Sequence, residues 1–308
     1  MIAHFLEYLA VEKHYSPRTV ESYRNNLYEF CKFLAVSPEL YDPAMVDADD
    51  VKQWIICLLD EQKQAQRSVK QKLSTIKSFY RFLLRVGAVK VDITNKVTAP
   101  KVKHPLPVFF KPSEMKSVTK YDDCADDFLS IRDCLIIEML YQTGMRRAEL
   151  LNLTNGNVDL AAAQIRVFGK RRKERILPIG QKIAEQIQLY IQVRDQTAAE
   201  NGYDTSGVND PFFVSFFINK LQPLSTSKLY RIVNSRMGEV STLKKHSPHV
   251  LRHTFATAML DNGADIRSIQ TLLGHTSLAA TQIYTHTTFE QIKRTYNAAH
   301  PRAHKRKE

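Results

Sequence analysis

The sequence is poor in the residues that build disulfide frameworks, metal sites and membrane spans. It has four cysteines in 308 residues, and their spacing forms neither a CxxC pair nor a metal-ligand pattern. We therefore expect reduced thiols in a cytosolic protein. No apolar run is long enough to cross a bilayer, and no N-terminal stretch resembles a signal peptide. These absences predict a cytoplasmic protein that has no membrane partner.

Acidic residues are outnumbered by basic ones. The chain has 44 Lys and Arg against 32 Asp and Glu, which gives a formal net charge of +12 and a pI near 9.4. Such an excess favours a polyanionic partner, with nucleic acid ahead of an anionic membrane surface. A basic surface that only keeps the protein soluble explains the charge equally well. Charge alone therefore leaves both explanations open.

The first hundred residues show a helical pattern. "SPRTVESYRNNLYEFCKFL" opens with Ser16 as an N-cap and Pro17 at the first helical position. "SVKQKLSTIKSFYRFLLRVG" has apolar residues at the same spacing of three and four and ends at Gly87. We predict a helical domain over residues 1–97 with basic outward faces. The basic residues on these faces are Arg18, Arg24, Lys70, Lys72, Lys77 and Arg81.

A proline-rich linker and a mixed second half follow. "TAPKVKHPLPVFFKPSEM" contains four prolines, which disfavour helix, so residues 98–111 are predicted to be an extended basic linker. In residues 112–308, "FLSIRDCLIIEMLYQTG" predicts a buried helix, and "QIRVFGKRRKERILPIG" predicts a two-stranded hairpin with Lys170 near its tip. Further helices are predicted from about Gln181, Ser227, Ser247 and Ile266 and after Leu278. "PFFVSF" fits a short strand or a buried loop. The fold class is mainly α with a small β-hairpin or sheet.

The stretch "SPHVLRHTFATAML" carries charge on a helix whose other residues suit a packed interior. His249 and Arg252 are three residues apart and share one helical face. An unpaired buried cation costs several kcal/mol, roughly, so an anion should meet this face.

Other motifs supply groups that handle a phosphate. Arg146 in "TGMRRAELLNL" lies at the start of a helix, near free backbone N–H groups, and Glu149 is placed to pair with an arginine and orient it. "LLGHTSLAATQIYTH" supplies His275 and Tyr284, and the hairpin supplies Lys170. Arginines neutralise charge on phosphate oxygens, a tyrosine can attack phosphorus, a histidine can manage its proton, and a lysine can protonate the departing oxygen. No carboxylate cluster suited to Mg²⁺ is evident, so we expect neither a metal nor another cofactor.

Each of these signals has a simpler explanation when taken alone. His249 and His253 could form a zinc pair, but Val250 occupies the glutamate position of HExxH, and the neighbouring arginine would repel a cation. Tyr284 alone fits a half-buried structural aromatic residue, and "GKRRKER" alone fits any nucleic-acid patch. Arg147 fits a solvated surface residue.

The ordered combination "TGMRRAEL", "GKRRKER", "HVLRH", "LLGH" and "TQIYTH" resembles the tyrosine recombinase (phage integrase) family. The positions that match its catalytic set are Arg146, Lys170, His249, Arg252, His275 and Tyr284. The resemblance covers nearly the whole chain, and the ending "YNAAHPRAHKRK" is similar to the tails of Xer recombinases, the XerC group rather more than the XerD group. One departure is the pair Arg171-Arg172, where the family commonly has Gly-Asn after the hairpin lysine.

The resemblance implies a fold and a mechanism. A SAM-like core-binding domain and a catalytic domain would form a C-shaped clamp on double-stranded DNA. Tyr284 would act as the nucleophile, forming a 3′-phosphotyrosyl link and releasing a 5′-hydroxyl, with no metal or cofactor. A homo- or heterotetramer would act on two recombination sites to resolve chromosome or plasmid dimers. A sister Xer recombinase and the FtsK translocase are the implied partners.

Other functions share parts of this pattern. A mobile-element integrase or a DNA invertase would use the same chemistry, and a type IB topoisomerase would use similar chemistry without a partner site. A non-catalytic DNA-binding regulator could use the helical half and the helix-turn-helix-like "DNGADIRSIQTLLGHTSL". A regulator has no need for a tyrosine at position 284, which favours the enzyme.

Overall fold

The computed structural model describes residues 1–101, 108–118, 127–169, 174–217, 220–243, 246–274 and 289–301. The chain divides into two compact units, Met1–Pro105 and Leu106–Glu308. The described residues are mainly helical with two small antiparallel sheets, which confirms the predicted fold class. The linker prolines from Pro105 to Pro107, the hairpin tip and the C-terminal tail lie outside the described residues.

The first unit is a helical bundle. Its helices are α1 (Ile2–Val11), α2 (Pro17–Phe33), α3 (Ala48–Ile56) and α4 (Gln66–Arg85), with a π turn at Cys57–Glu61. The Ser16 side chain accepts the Thr19 backbone N–H, so the predicted N-cap of α2 is confirmed. Asp47 caps α3 with a reciprocal bond to Asp50. These caps satisfy backbone N–H groups that a helix start leaves unpaired.

Aromatic side chains fill the core of the first unit. The rings of Phe30 and Trp54 lie 4.8 Å apart, and the hydroxyls of Tyr41 and Tyr80 are hydrogen-bonded at 2.8 Å. Two of the lysines predicted to face outward are half-buried instead: Lys72 pairs with Glu29, and Lys77 donates to the Val97 carbonyl. The four others on those faces, Arg18, Arg24, Lys70 and Arg81, are exposed.

The second unit carries both sheets and the remaining described helices. Its helices are α5 (Pro112–Val118), α6 (Phe128–Thr143), α7 (Arg147–Leu151), α8 (Gln181–Glu200), α9 (Thr226–Gly238), α10 (Pro248–Asp261), α11 (Ile266–Leu273) and α12 (Phe289–Ala299). Its strands are β1 (Val158–Asp159), β2 (Gln164–Phe168), β3 (Glu174–Pro178), β4 (Val214–Phe217) and β5 (Lys220–Pro223). The predicted hairpin is present as β2 and β3, and β1 adds a third strand on the β2 edge. "PFFVSF" contains β4, which pairs with β5.

Helix α6 forms the centre of this unit. It is buried on nearly every side and packs against α8 and α10. Gly144 ends it in the left-handed conformation at φ 59°, as the sequence predicts. An isolated helix with this many apolar faces would aggregate, so its neighbours are needed to cover it.

The cysteines depart from prediction at one position. Cys31 and Cys57 are free thiols, but Cys134 in α6 is disulfide-bonded, so the expectation of reduced thiols is wrong for that residue. Among the described residues, no helix is both long and apolar enough to cross a membrane.

Candidate active site

Arg146 lies in the short connection between α6 and α7. The left-handed Gly144 turns the chain, and Arg146 becomes the N-cap of α7. Its backbone N–H donates to Glu149 Oε2 at 2.6 Å, and its Nη1 donates to Glu149 Oε1 at 2.9 Å. Its Nη2 donates to the Gly274 carbonyl at 2.6 Å. The side chain keeps 37% of its surface exposed, so it can still meet a ligand.

Arg252 on α10 joins two helix ends. Its Nη1 donates to the Gly144 carbonyl at 2.6 Å and its Nη2 to the Leu273 carbonyl at 2.6 Å. Gly144 directly follows α6 and Leu273 is the last residue of α11, so both carbonyls lie at helix ends where the helix dipole is negative. Burial, together with the charges of Arg146 and Arg175, lowers the pKa of Arg252 to about 10. Arg252 is thus a half-buried cation, and these two carbonyl dipoles compensate its charge.

A third arginine, Arg175, completes the cluster and was not predicted from the sequence. Its Nη1 and Nη2 donate to Oε1 and Oε2 of Glu149, each at 2.7 Å, and its Nε donates to the Leu272 carbonyl at 2.8 Å. A signal was available in the strand. Arg175 lies two residues before the buried Leu177 and four before the buried Ile179, so the strand spacing places it on the same inward face.

The three arginines meet at the C-terminal end of α11. The consecutive carbonyls of Leu272, Leu273 and Gly274 accept from Arg175, Arg252 and Arg146, in that order. Glu149 is the carboxylate that binds two of these arginines, and its side chain is only 2% exposed.

Glu149 stays ionised among these arginines. Burial raises the pKa of Glu149, but hydrogen bonds and charge from Arg175 and Arg146 outweigh burial, so the pKa lies below its ordinary value of 4.5. Three positive charges against one negative charge leave this cluster with a net charge of +2 at neutral pH.

The structure describes three of the six predicted catalytic positions. Arg146 and Arg252 are brought together at the end of α11, and His249 lies exposed on α10, one turn before Arg252. Lys170, His275 and Tyr284 lie outside the described residues. In the sequence, His275 directly follows the Gly274 carbonyl that Arg146 holds.

Two neighbouring residues also have defined roles in the structure. Arg147, predicted to be solvated, is half-buried and lies over the ring of Tyr230 at 5.2 Å. Tyr296 is fully buried in α12, and its hydroxyl donates to Gln142 Oε1 at 3.4 Å. Burial and the charge of Tyr141 raise the pKa of Tyr296, which makes it a poor nucleophile.

This arrangement can bind an anion with two preorganised cations. Within the described residues, Arg146 and Arg252 each use two of the five N–H groups of a guanidinium in the bonds given above. In the part of the chain that the structure describes, these bonds leave further N–H groups on each guanidinium that can donate to the oxygens of a phosphate. The same residues contain no group of three or more His, Cys, Asp or Glu side chains placed to hold a metal ion.

Known proteins resemble this chain over nearly its whole length. A model of the phage integrase family matches residues 109–291, and a model of the SAM-like N-terminal domain of phage integrases matches residues 2–87. The tyrosine recombinase XerC of Oceanobacillus iheyensis is 40% identical, with 97% of this chain and 95% of that protein covered. The tyrosine recombinase XerC of Pelotomaculum thermopropionicum is 36% identical, with 98% of each chain covered.

A solved structure shares the fold. The XerH site-specific recombinase bound to a palindromic difH substrate, in a post-cleavage complex, has a TM-score of 0.66 to this chain. The alignment covers 96% of this chain and 84% of XerH at 17% sequence identity. At that identity the likeness shows the fold alone.

Proposed function

Since the chain belongs to the phage integrase family and is a site-specific tyrosine recombinase, we propose that it cuts and rejoins double-stranded DNA at the arginine cluster beside the end of α11. The observation that carries this proposal is the pair Arg146 and Arg252, held on adjacent carbonyls of one helix end. Two guanidiniums on one rigid support suit a scissile phosphate, since they neutralise the charge that grows on its oxygens in the transition state.

Each of the six matched residues then has a role in the reaction. The Tyr284 oxygen attacks phosphorus and loses its proton to a histidine, His249 or His275. The bond from phosphorus to the 5′-oxygen breaks, and Lys170 supplies the proton that converts this oxygen to a hydroxyl. A 3′-phosphotyrosyl link stores the bond energy. The 5′-hydroxyl of a partner duplex attacks that link and releases the tyrosine, so no metal or high-energy cofactor is consumed.

The domain organisation supports DNA binding by both halves. We assign residues 1–97 to a core-binding domain, residues 98–111 to a linker and residues 112–308 to the catalytic domain, which together would clamp the duplex. Exposed Arg24 on α2 and Lys70 on α4 give the first domain basic faces that suit phosphates.

The biological role that we propose is the Xer role. A tetramer, homomeric or built with a sister Xer recombinase, would act in the cytoplasm on two sites to resolve chromosome or plasmid dimers, with the FtsK translocase as a partner. The similarity to relatives named XerC over nearly the whole chain supports this role above a mobile-element integrase or an invertase.

The decisive test concerns Tyr284. A nicked duplex carrying the recombination site traps the covalent intermediate, which a denaturing gel resolves. The wild-type protein should form the adduct in buffer with EDTA, because arginines fill the role of a metal. Tyr284→Phe should form none while binding DNA with nearly unchanged affinity, since only one hydroxyl is lost.

Tyr296→Phe is the matched control, because it removes a tyrosine hydroxyl from α12, the helix that follows position 284 in the sequence. It should keep the adduct. An adduct that persists in Tyr284→Phe, or a wild-type activity that EDTA removes and Mg²⁺ restores, would contradict the proposed site.

A further inference from the structure

Arg175 contacts both groups that hold Arg146 in place. One is Glu149, whose carboxylate accepts the backbone N–H and Nη1 of Arg146. The other is the end of α11, where Arg175 holds the Leu272 carbonyl, two residues before the Gly274 carbonyl that binds Arg146. A single side chain, 13% exposed, therefore connects β3, α7 and α11.

The contact with α11 is tight. A Cβ atom built on Gly274 would lie 3.1 Å from Arg175 Nη1 and 3.3 Å from its Cζ. Gly274 also has a φ of 62°, a conformation that other residues adopt with strain. The backbone at the end of α11 therefore packs closely against the guanidinium of Arg175, in addition to the hydrogen bond from its Nε to the Leu272 carbonyl.

Two arginines of this unit that are more deeply buried than Arg175 have different partners. Arg132 and Arg194 each pair with the aspartate that follows them in sequence, and Arg194 also donates to the Phe212 carbonyl. Neither is hydrogen-bonded to Glu149 or to α11 in the described structure. Arg175 differs in its described partners. It binds Glu149, which also binds Arg146, and it binds the Leu272 carbonyl, which directly precedes the carbonyl bound by Arg252.

We propose that Arg175 is a positioning residue for strand cleavage, which locks the end of α11 to Glu149 so that Arg146 and Arg252 keep their spacing for the scissile phosphate. This inference rests on the proposed function of those two arginines. The same bonds also hold the backbone at Gly274 in place. Arg175 itself need not touch the DNA.

The geometry requires arginine. The planar guanidinium presents two parallel N–H groups to the two oxygens of Glu149 and a third N–H, on Nε, to the Leu272 carbonyl. A lysine ammonium is a single point with rotating donors and cannot hold these partners in one plane. Arg175→Lys therefore keeps the charge and removes the positioning.

The test separates cleavage from binding and from stability. Single-turnover cleavage of the nicked duplex is measured with saturating full-length protein, together with DNA affinity and Tm. Arg175→Lys should slow cleavage at least about tenfold, because displacements of about 1 Å have effects of this size or larger. Its DNA affinity should stay within about threefold of wild type, because the charge is retained. Arg194→Lys is the matched control, since it makes the same substitution at a more deeply buried arginine away from the site. It should lower Tm yet keep the cleavage rate constant below its transition.

A second variant covers the case in which Arg175→Lys does not fold. Glu149→Gln weakens the same link from the other side and should also slow cleavage, again with nearly unchanged affinity. If both single variants fold, the double variant should be no slower than the slower single one, because the two residues act as a unit.

Wild-type cleavage rates in Arg175→Lys, or losses that match those of Arg194→Lys and follow Tm, would overturn the positioning role. Failure of the proposed function is recognised differently. It would appear as an absent wild-type adduct or a persisting adduct in Tyr284→Phe, whatever Arg175→Lys does.

Discussion

Arg252 shows how a half-buried guanidinium is kept charged when no carboxylate among the described residues forms an ion pair with it. Its Nη atoms donate to the carbonyls of Gly144 and Leu273, at the ends of two helices. A pKa of about 10 leaves it protonated at neutral pH even though burial and two neighbouring arginines oppose the charge. The site is thus preorganised for an anion, since binding a phosphate relieves the repulsion among the cations.

At the scale of single residues, one assay should distinguish the role of Lys170 from that of Arg252. Lys170→Ala should severely slow cleavage of normal DNA because the 5′-oxygen then leaves without a proton. It should recover on DNA with a bridging 5′-thio group at the scissile phosphate, since a thiolate leaves unprotonated. Arg252→Ala should stay slow on that substrate, because its loss removes charge stabilisation. Cleavage rate constants on the two substrates provide the measurement.

The general-acid assignment would be wrong if both variants recovered equally or if neither did. In that case Arg171, Arg172 and Lys173 would need the same test. The doubled arginine beside Lys170 is the departure from the family pattern that makes these residues the alternatives.

At the scale of elements, the site is built where helices end. The left-handed glycine after α6 presents its carbonyl to Arg252, and the left-handed glycine after α11 presents its carbonyl to Arg146. The negative ends of two helix dipoles therefore face the cations that the site requires. Close packing of α6 on α10 and α11 keeps these ends together: a Cβ on Gly144 would lie 2.4 Å from Phe255 Cδ1 and 3.0 Å from Leu273 Cδ2.

Gly144→Ala should therefore cost more stability than Gly263→Ala. Both glycines have positive φ, 59° and 82°, so each substitution introduces backbone strain of about 1–2 kcal/mol. Only Gly144 meets a side chain, which adds roughly 1–3 kcal/mol of overpacking. A Cβ on Gly263 meets nothing within 4 Å, which makes it the matched control in the same unit. Urea unfolding of both variants measures the difference, and equal losses would show that the packing at Gly144 adapts.

At the scale of the whole molecule, charge and exposure decide how the protein meets DNA. The net charge is +12, and exposed basic residues on α2 and α4 belong to a different unit from the arginine cluster. Under the proposed function, phosphate contacts made by both units would release counterions and make affinity depend steeply on salt.

DNA affinity should fall with salt by a slope of about 0.9 per phosphate contact on logarithmic axes. Lys70→Gln should reduce that slope by about 1, because Lys70 is exposed on a basic face of α4. Lys52→Gln should leave the slope unchanged, because Asp49 already pairs with this exposed lysine at 2.7 Å. Fluorescence anisotropy titrations at several salt concentrations measure all three slopes. A flat salt response would contradict phosphate-dominated binding.

Local patterns in the sequence were enough for much of the fold. The N-cap of α2, the left-handed end of α6, the strands β2 and β3, and the helices α8 to α11 follow from residue periodicity and capping, which act over a few neighbouring residues. The ordered motifs identified the family, and they predict six site residues, of which the structure describes Arg146, His249 and Arg252. These residues could be predicted because an arginine or a histidine has the same chemistry toward a phosphate wherever it lies in a fold.

Only the tertiary structure decided what surrounds these residues. The carbonyls that compensate Arg252 come from Gly144 and Leu273, which are 108 and 21 residues away in the chain, and no local pattern pairs them. The spacing of residues in β3 places Arg175 on the inward face, but only the tertiary structure brings Glu149 and the Leu272 carbonyl to that face. Periodicity determines which face a side chain takes, whereas packing between distant elements determines what that face meets.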